Sequence, residues 1–130
     1  MSDTIYDTRY FLTVYTAKEP ALKRKLLKEL ESDRPRYVSA ITIHEVYRIS
    51  LEVEGREVAK MRKNAIERDF EVVNVDSDVA AEAAEVKATQ SRDFPLADAI
   101  IIATARLRGL NCFTDDEHMK TINSLRTRWM

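Results

Sequence analysis

The chain opens on a short β-prone run, Thr4-Ile5-Tyr6, closed by Asp7, which predicts a first strand. Mostly uncharged, aromatic-rich positions over Thr8–Thr16 predict a short buried helix. From Pro20 the pattern becomes amphipathic. Leu22, Leu26, Leu27 and Leu30 recur at helical spacing among Lys23, Arg24, Lys25 and Lys28. The Arg34-Pro35 pair breaks that helix, because a residue before proline is pushed out of the helical region. Tyr37-Val38-Ser39 reads as a second strand, followed by a helix over 42–53. Gly55 punctuates, and Val58, Met61 and Ala65 mark the next helix. A valine-rich third strand is expected over 71–75. Asp76 and Ser77 are good N-caps for a helix carrying Val79, Ala83 and Val86. Pro95 suits the first turn of a helix over 96–107, and Gly109 its stop. Asn111–Phe113 forms the fourth strand, with a polar turn, a short helix near 116–122 and an edge strand at the tail.

Short strands separated by helical segments pair in parallel through right-handed crossovers. The expected fold is therefore α/β: a three-layer sandwich, a short central parallel sheet flanked by helices, in a single domain over residues 1–130. Such sheets bind ligands beyond the carboxyl ends of their strands, where strand order reverses.

Composition narrows the function classes. With 45% hydrophobic and 33% charged residues, the chain has the apolar content of a folded core and not of a disordered one. Its 21 Lys+Arg against 22 Asp+Glu leave no global positive field to hold nucleic acid. Two glycines exclude a Gly-rich phosphate loop. Cys112 is the only cysteine, so an intramolecular disulfide is impossible, in keeping with a reducing compartment. The longest charge-free stretches, 10–17 and 37–44, are eight residues each, far short of the about 20 needed to span a membrane. Asp3 and Asp7 stand where a signal peptide would carry basic residues. The expectation is a soluble, cytoplasmic protein with no membrane partner.

Four acids fall on the ligand side of the expected sheet. Asp7 follows the first strand directly, and Asp116, with Asp115 beside it, lies just beyond the fourth. Asp98 is the only charge in the run PLADAIIIATA, where an ionised carboxylate is expensive unless a cation or hydrogen bonds compensate it. The plainer alternative is an acid in the first turn of a helix, favoured by the macrodipole. Glu45 has two readings. Thr42-x-x-Glu45 matches a capping box, whereas a helix capped by Ser39 would put Glu45 in its second turn, free to point off the sheet. Asp7 and Asp116 could likewise be N-caps.

Taken together, these acids would repel and raise one another's pKa unless cations occupy the cluster. Hard divalent ions such as Mg²⁺ or Mn²⁺ suit such oxygen ligands. Zinc does not, since His44, His118 and Cys112 form no ligand spacing. A carboxylate-held pair of divalent ions is a recurring device for cutting phosphodiesters.

The chain resembles the PIN-domain family, in length the VapC-type ribonuclease toxins and their stand-alone relatives. The matching pieces are TIYDTRYFL, ITIHEVYRI, PLADAIIIATA and FTDDEHM, which span the chain in the family's order. The resemblance implies a Mg²⁺- or Mn²⁺-dependent endoribonuclease, often a homodimeric toxin neutralised by a cognate antitoxin protein. It places the metal-binding acids on Asp7, Glu45, Asp98 and Asp116, with Asp115 an alternate to Asp116 and Asp93 an outer ligand. Thr114 takes the place of the family's hydroxyl near the site, and Thr8 is a possible helper. Arg9-Tyr10 departs from the family, where small or aliphatic residues are commoner, and hints at a substrate contact by Arg9.

Single-stranded or looped RNA is the expected substrate, because an extended strand can reach a recessed acidic site. Arg9, Lys18, Lys23, Arg24, Arg106, Arg126 and Arg128 are the candidate basic rim. The rival reading is a non-catalytic module binding RNA or a partner protein, with Phe11, Tyr15, Trp129 and Met130 as its working surface. A receiver-like phospho-acceptor domain is weaker still, since a single Asp7 follows the first strand.

Overall fold

The strand β1 (Thr4–Tyr6) is the centre of a five-stranded sheet whose strands are all parallel. The order is β3-β2-β1-β4-β5, with β2 at Arg36–Ser39, β3 at Glu71–Val73, β4 at Asn111–Phe113 and β5 at Thr127–Arg128. The computed structural model describes residues 3–116, 119 and, as backbone, 127–128. Among the described residues the strands are connected and covered by α1 (Thr8–Thr16), α2 (Pro20–Leu27), α3 (Ala40–Val53), α4 (Arg56–Asp69), α5 (Ser77–Gln90) and α6 (Leu96–Arg108). A 3-10 turn, Lys28–Glu31, extends α2. This is the α/β sandwich expected from the alternation of short strands and helices.

Side-chain alternation along the strands makes the layers. Ile5 and Cys112 point to one face, where they meet α5 and α6 through Val79, Ala83, Val86, Ile101 and Ile102. Tyr6, Phe113 and Val38 point to the other, against Tyr10, Phe11, Leu26, Val46, Ile66 and Phe70. On that second face the rings of Tyr6, Tyr10, Phe11, Phe70 and Phe113 stack with centroids 5.0–6.4 Å apart, a range in which edge-on and tilted pairs attract. The Tyr10 hydroxyl donates to the Leu26 carbonyl at 2.8 Å, so burying this ring leaves no polar group unsatisfied.

Several boundaries differ from the sequence expectation. Helix α3 starts at Ala40, and the Ser39 hydroxyl accepts from the Ile41 amide at 3.2 Å, so Ser39 is the cap and the Thr42 capping box does not form. Strand β3 stops at Val73 and not at residue 75, because its partner β2 ends at Ser39, the last ladder pair. Only Leu26 of the α2 leucines is fully buried; Leu22 and Leu27 are each 37% exposed, since this short helix meets the body along a narrow stripe. Phe11 belongs to the core and Tyr15 is half-buried, with the Arg62 guanidinium 4.4 Å above its ring.

Gly109 ends α6 in the left-handed conformation (φ 65°), its amide donating to the Ala105 carbonyl, as the sequence predicts. The helix expected near 116–122 falls largely outside the described residues, as do His118, Arg126, Trp129, Met130 and the side chain of Arg128. Among the described residues no helix is long and apolar enough to cross a membrane.

Candidate active site

The carboxyl ends of β1 and β4 lie side by side, and the residues that leave them build the site. Tyr6 pairs with Phe113, and the Asp7 amide still donates to the Phe113 carbonyl at 3.2 Å. The next residues, Asp7 and Thr114, are thereby held together. Asp7 occupies the N-cap position of α1, yet its side chain makes no capping bond. Its Oδ2 instead accepts from the Thr114 hydroxyl at 2.6 Å, although Asp7 is only 1% exposed and Thr114 fully buried.

Thr114 has a second duty: its Oγ1 accepts from the Asp116 amide at 3.0 Å, folding the chain after β4 into a tight turn. One hydroxyl thus ties Asp7 to the backbone of Asp116. Burial raises the Asp7 carboxyl from 3.8 to about 6. The Thr114 hydroxyl and Thr8 backbone amide pull it down, and the charges of Asp116 and Glu45 push it further up.

The other half of the site comes from α1 and α3. With Ser39 as cap, Glu45 lies in the second turn of α3. Its Oε1 accepts from the Thr8 hydroxyl at 2.6 Å, and Thr8 Oγ1 lies 3.0 Å from Thr42 Oγ1. Thr42 is fully buried, Thr8 nearly so and Glu45 half-buried. Sequence reasoning treated Thr42 only as a possible cap. Its place on the Glu45 face, three residues earlier in the helix, was the signal for its actual role.

Asp98 is half-buried in the first turn of α6. Beneath the site, the Cys112 thiol is pushed well above its usual range, first by burial and then by the charges of Asp7, Asp98 and Asp116. The charges of Asp7, Asp98 and Asp116 are thus all felt at the same buried thiol.

Asp115 diverges from this inward set. It forms an ion pair with Arg9, which leaves Asp116 as the acid of that turn coupled to Asp7. Asp93 is exposed in the turn before α6. Of the rim cations, Lys18, Lys23 and Arg24 are exposed around α2, whereas Arg106 lies 3.6 Å from Glu82 across the α5–α6 contact.

Among the described residues, no three His, Cys, Asp or Glu side chains are close enough to hold one metal ion as they stand. The donor chemistry nonetheless fits a hard divalent cation. Asp7, Glu45, Asp116, Thr8 and Thr114 offer only oxygen, and the raised Asp7 carboxyl has much to gain from a neighbouring positive charge.

Comparison with solved structures places the same fold in toxin–antitoxin assemblies. VapBC2 from Rickettsia felis, bound to a DNA fragment from its promoter, superposes with a TM-score of 0.80 at 11% identity, covering 98% of each chain. A toxin–antitoxin complex from Klebsiella pneumoniae gives 0.71 at 22% identity, covering 94% of each chain. VapC20 from Mycobacterium tuberculosis, a sarcin–ricin loop cleaving toxin, gives 0.68 at 19% identity, over 84% of this chain and 86% of that one. No curated protein sequence matches the chain significantly. Residues 5–125 match the PIN domain model, and with that match joined to the parallel sheet and its carboxylate-bearing edge, the chain belongs to the PIN-domain family, whose members are typically nucleases.

Proposed function

We propose that this chain is a Mg²⁺- or Mn²⁺-dependent endoribonuclease acting on single-stranded or looped RNA, and the homodimeric toxin of a toxin–antitoxin pair. The observation that carries the reading is Asp7. A carboxyl 1% exposed, raised to about 6 and capping nothing is a costly arrangement for a fold to keep. Perturbed acids of this kind cluster where chemistry is done. The structural neighbours, captured with their antitoxins, support the partner assignment by fold alone.

In this reading Asp7, Glu45, Asp98 and Asp116 hold the cation. A bound divalent ion supplies charge neutralisation at the phosphate and lowers the pKa of water. Thr114 keeps Asp7 aimed and ties it to the turn bearing Asp116, while Thr8 does the same for Glu45. A carboxylate of the set accepts the proton given up by the attacking water. The water oxygen bonds to phosphorus as the bond to the 3′ oxygen breaks, leaving a 5′ phosphate and a 3′ hydroxyl.

The test is cleavage of single-stranded RNA in Mg²⁺ or Mn²⁺ against EDTA, with Asp98→Asn as the control. Metal-dependent 5′-phosphorylated products, lost in the variant, are expected. Cleavage indifferent to EDTA would sink the metal assignment. RNA binding without cleavage would favour the non-catalytic module.

A further inference from the structure

We propose that Arg9 is the residue that grips a phosphate of the RNA strand at the mouth of this site, and that Asp115 holds its guanidinium there until RNA displaces it. The inference rests on the nuclease reading and names how that site receives its substrate.

An acidic site has to bring in a polyanion that its own charge repels. Arg9 meets that need by position, two residues after Asp7 and one after Thr8 in the first turn of α1. Its guanidinium bonds through Nε to Asp115 Oδ1, and its charge is stabilised by Asp115, Asp116 and Asp7. The pair joins the exits of β1 and β4, the two strands that carry Asp7 and Thr114. Asp115 thus fixes a cation beside the carboxylates without entering the inward set.

The pair is also easy to open. The Arg9 and Asp115 side chains are 54% and 40% exposed, and exposed ion pairs contribute only about 0–1 kcal/mol. A phosphate oxygen can take the place of the one carboxylate oxygen that Nε binds, and a second phosphate oxygen can meet the rest of the planar guanidinium, a fork that an ammonium does not offer. Asp115 therefore acts as a stand-in for phosphate. Two other surface cations, Arg48 and Lys63, are engaged within their own helices, with Glu52 and Glu67.

The experiment compares the parent with Arg9→Ala, Arg9→Lys and Asp115→Asn. Fluorescein-labelled single-stranded RNA is titrated in Ca²⁺ by anisotropy, with a gel to verify an intact strand, and cleavage kinetics are measured in Mg²⁺. Arg9→Ala should weaken binding about tenfold and raise KM to match, with kcat nearly unchanged. The slope of log affinity against log salt should shrink by about 0.7, the loss of one phosphate contact. Arg9→Lys should recover part of the affinity, and Asp115→Asn should tighten binding about threefold at low salt. If Arg9→Ala misfolds, the Lys and Asp115 variants carry the same test. Parental affinity and salt slope in Arg9→Ala, with cleavage retained, would overturn this proposal and leave the nuclease reading standing. An Arg9-dependent slope in a parent that never cuts would do the reverse, and no RNA binding at all would overturn both.

Discussion

The site is built from two hydroxyl–carboxylate pairs of the same chemistry and different cost. Thr114 with Asp7 and Thr8 with Glu45 each bond at 2.6 Å, yet the first pair is buried and the second only half so. Asp7 directly follows the central strand and is only 1% exposed. Glu45 sits on a helix turn with solvent beside it. The same bond therefore restrains a carboxyl already raised to about 6 in one half and orders a water-accessible side chain in the other. The buried half is closed to water and the other half is open to it.

Removing the charge in the buried half should have the largest effect. Asp7→Asn should abolish metal-dependent cleavage, by about 10²-fold or more, while making the metal-free protein more stable at neutral pH by about 3 kcal/mol. Thermal melts beside RNA assays check both, and a destabilised variant would contradict the cost assigned to this carboxyl.

The same energy should appear as pH dependence. Between 3.8 and about 6 the unfolded chain has lost the Asp7 proton and the folded chain still keeps it. The folded state then binds more protons, so stability of the metal-free protein falls as pH rises through that window, by about 3 kcal/mol in all. Denaturant titrations from pH 4 to 7 should show this fall, and the Asp7→Asn protein should lack it. Millimolar Mg²⁺ should flatten the curve, because binding favours the folded state.

Thr114→Val should come next. It strips a donor from Asp7 and an acceptor from the Asp116 amide, costing about 1–3 kcal/mol and about 10–100-fold in activity. Thr8→Val should cost about 1 kcal/mol at Glu45, where water can replace the lost bond, once the loss at buried Thr42 is subtracted by repeating the change in a Thr42→Val background. Equal losses in the two valine variants, measured by urea unfolding, would erase the distinction between the halves.

The layered fold was legible because its signals are local. Proline before α6, glycine after it and valine-rich strands between amphipathic helices each act through neighbouring residues. The acids were legible as candidates, since Asp98 interrupts an apolar run and Asp7 and Asp116 follow strands. Their partners were not. Thr8 and Glu45 are 37 positions apart and Arg9 and Asp115 are 106 apart, distances that only the assembled sheet closes. The choice between Ser39 and Thr42 as cap is settled by the helix starting at Ala40, which places Thr42 inside it and leaves Glu45 to the Thr8 hydroxyl.

The pairing of β1 with β4 has a consequence for how the molecule comes into being. Strand β1 finds β2 within about forty residues but β4 only after more than a hundred, so Thr114 cannot reach Asp7 until all the chain between them has been made. A nascent chain of a hundred residues carries Asp7, Glu45 and Asp98 without the segment that locks the first of them in place. Closure of the candidate site, in such a topology, waits on the joining of two segments far apart in the message.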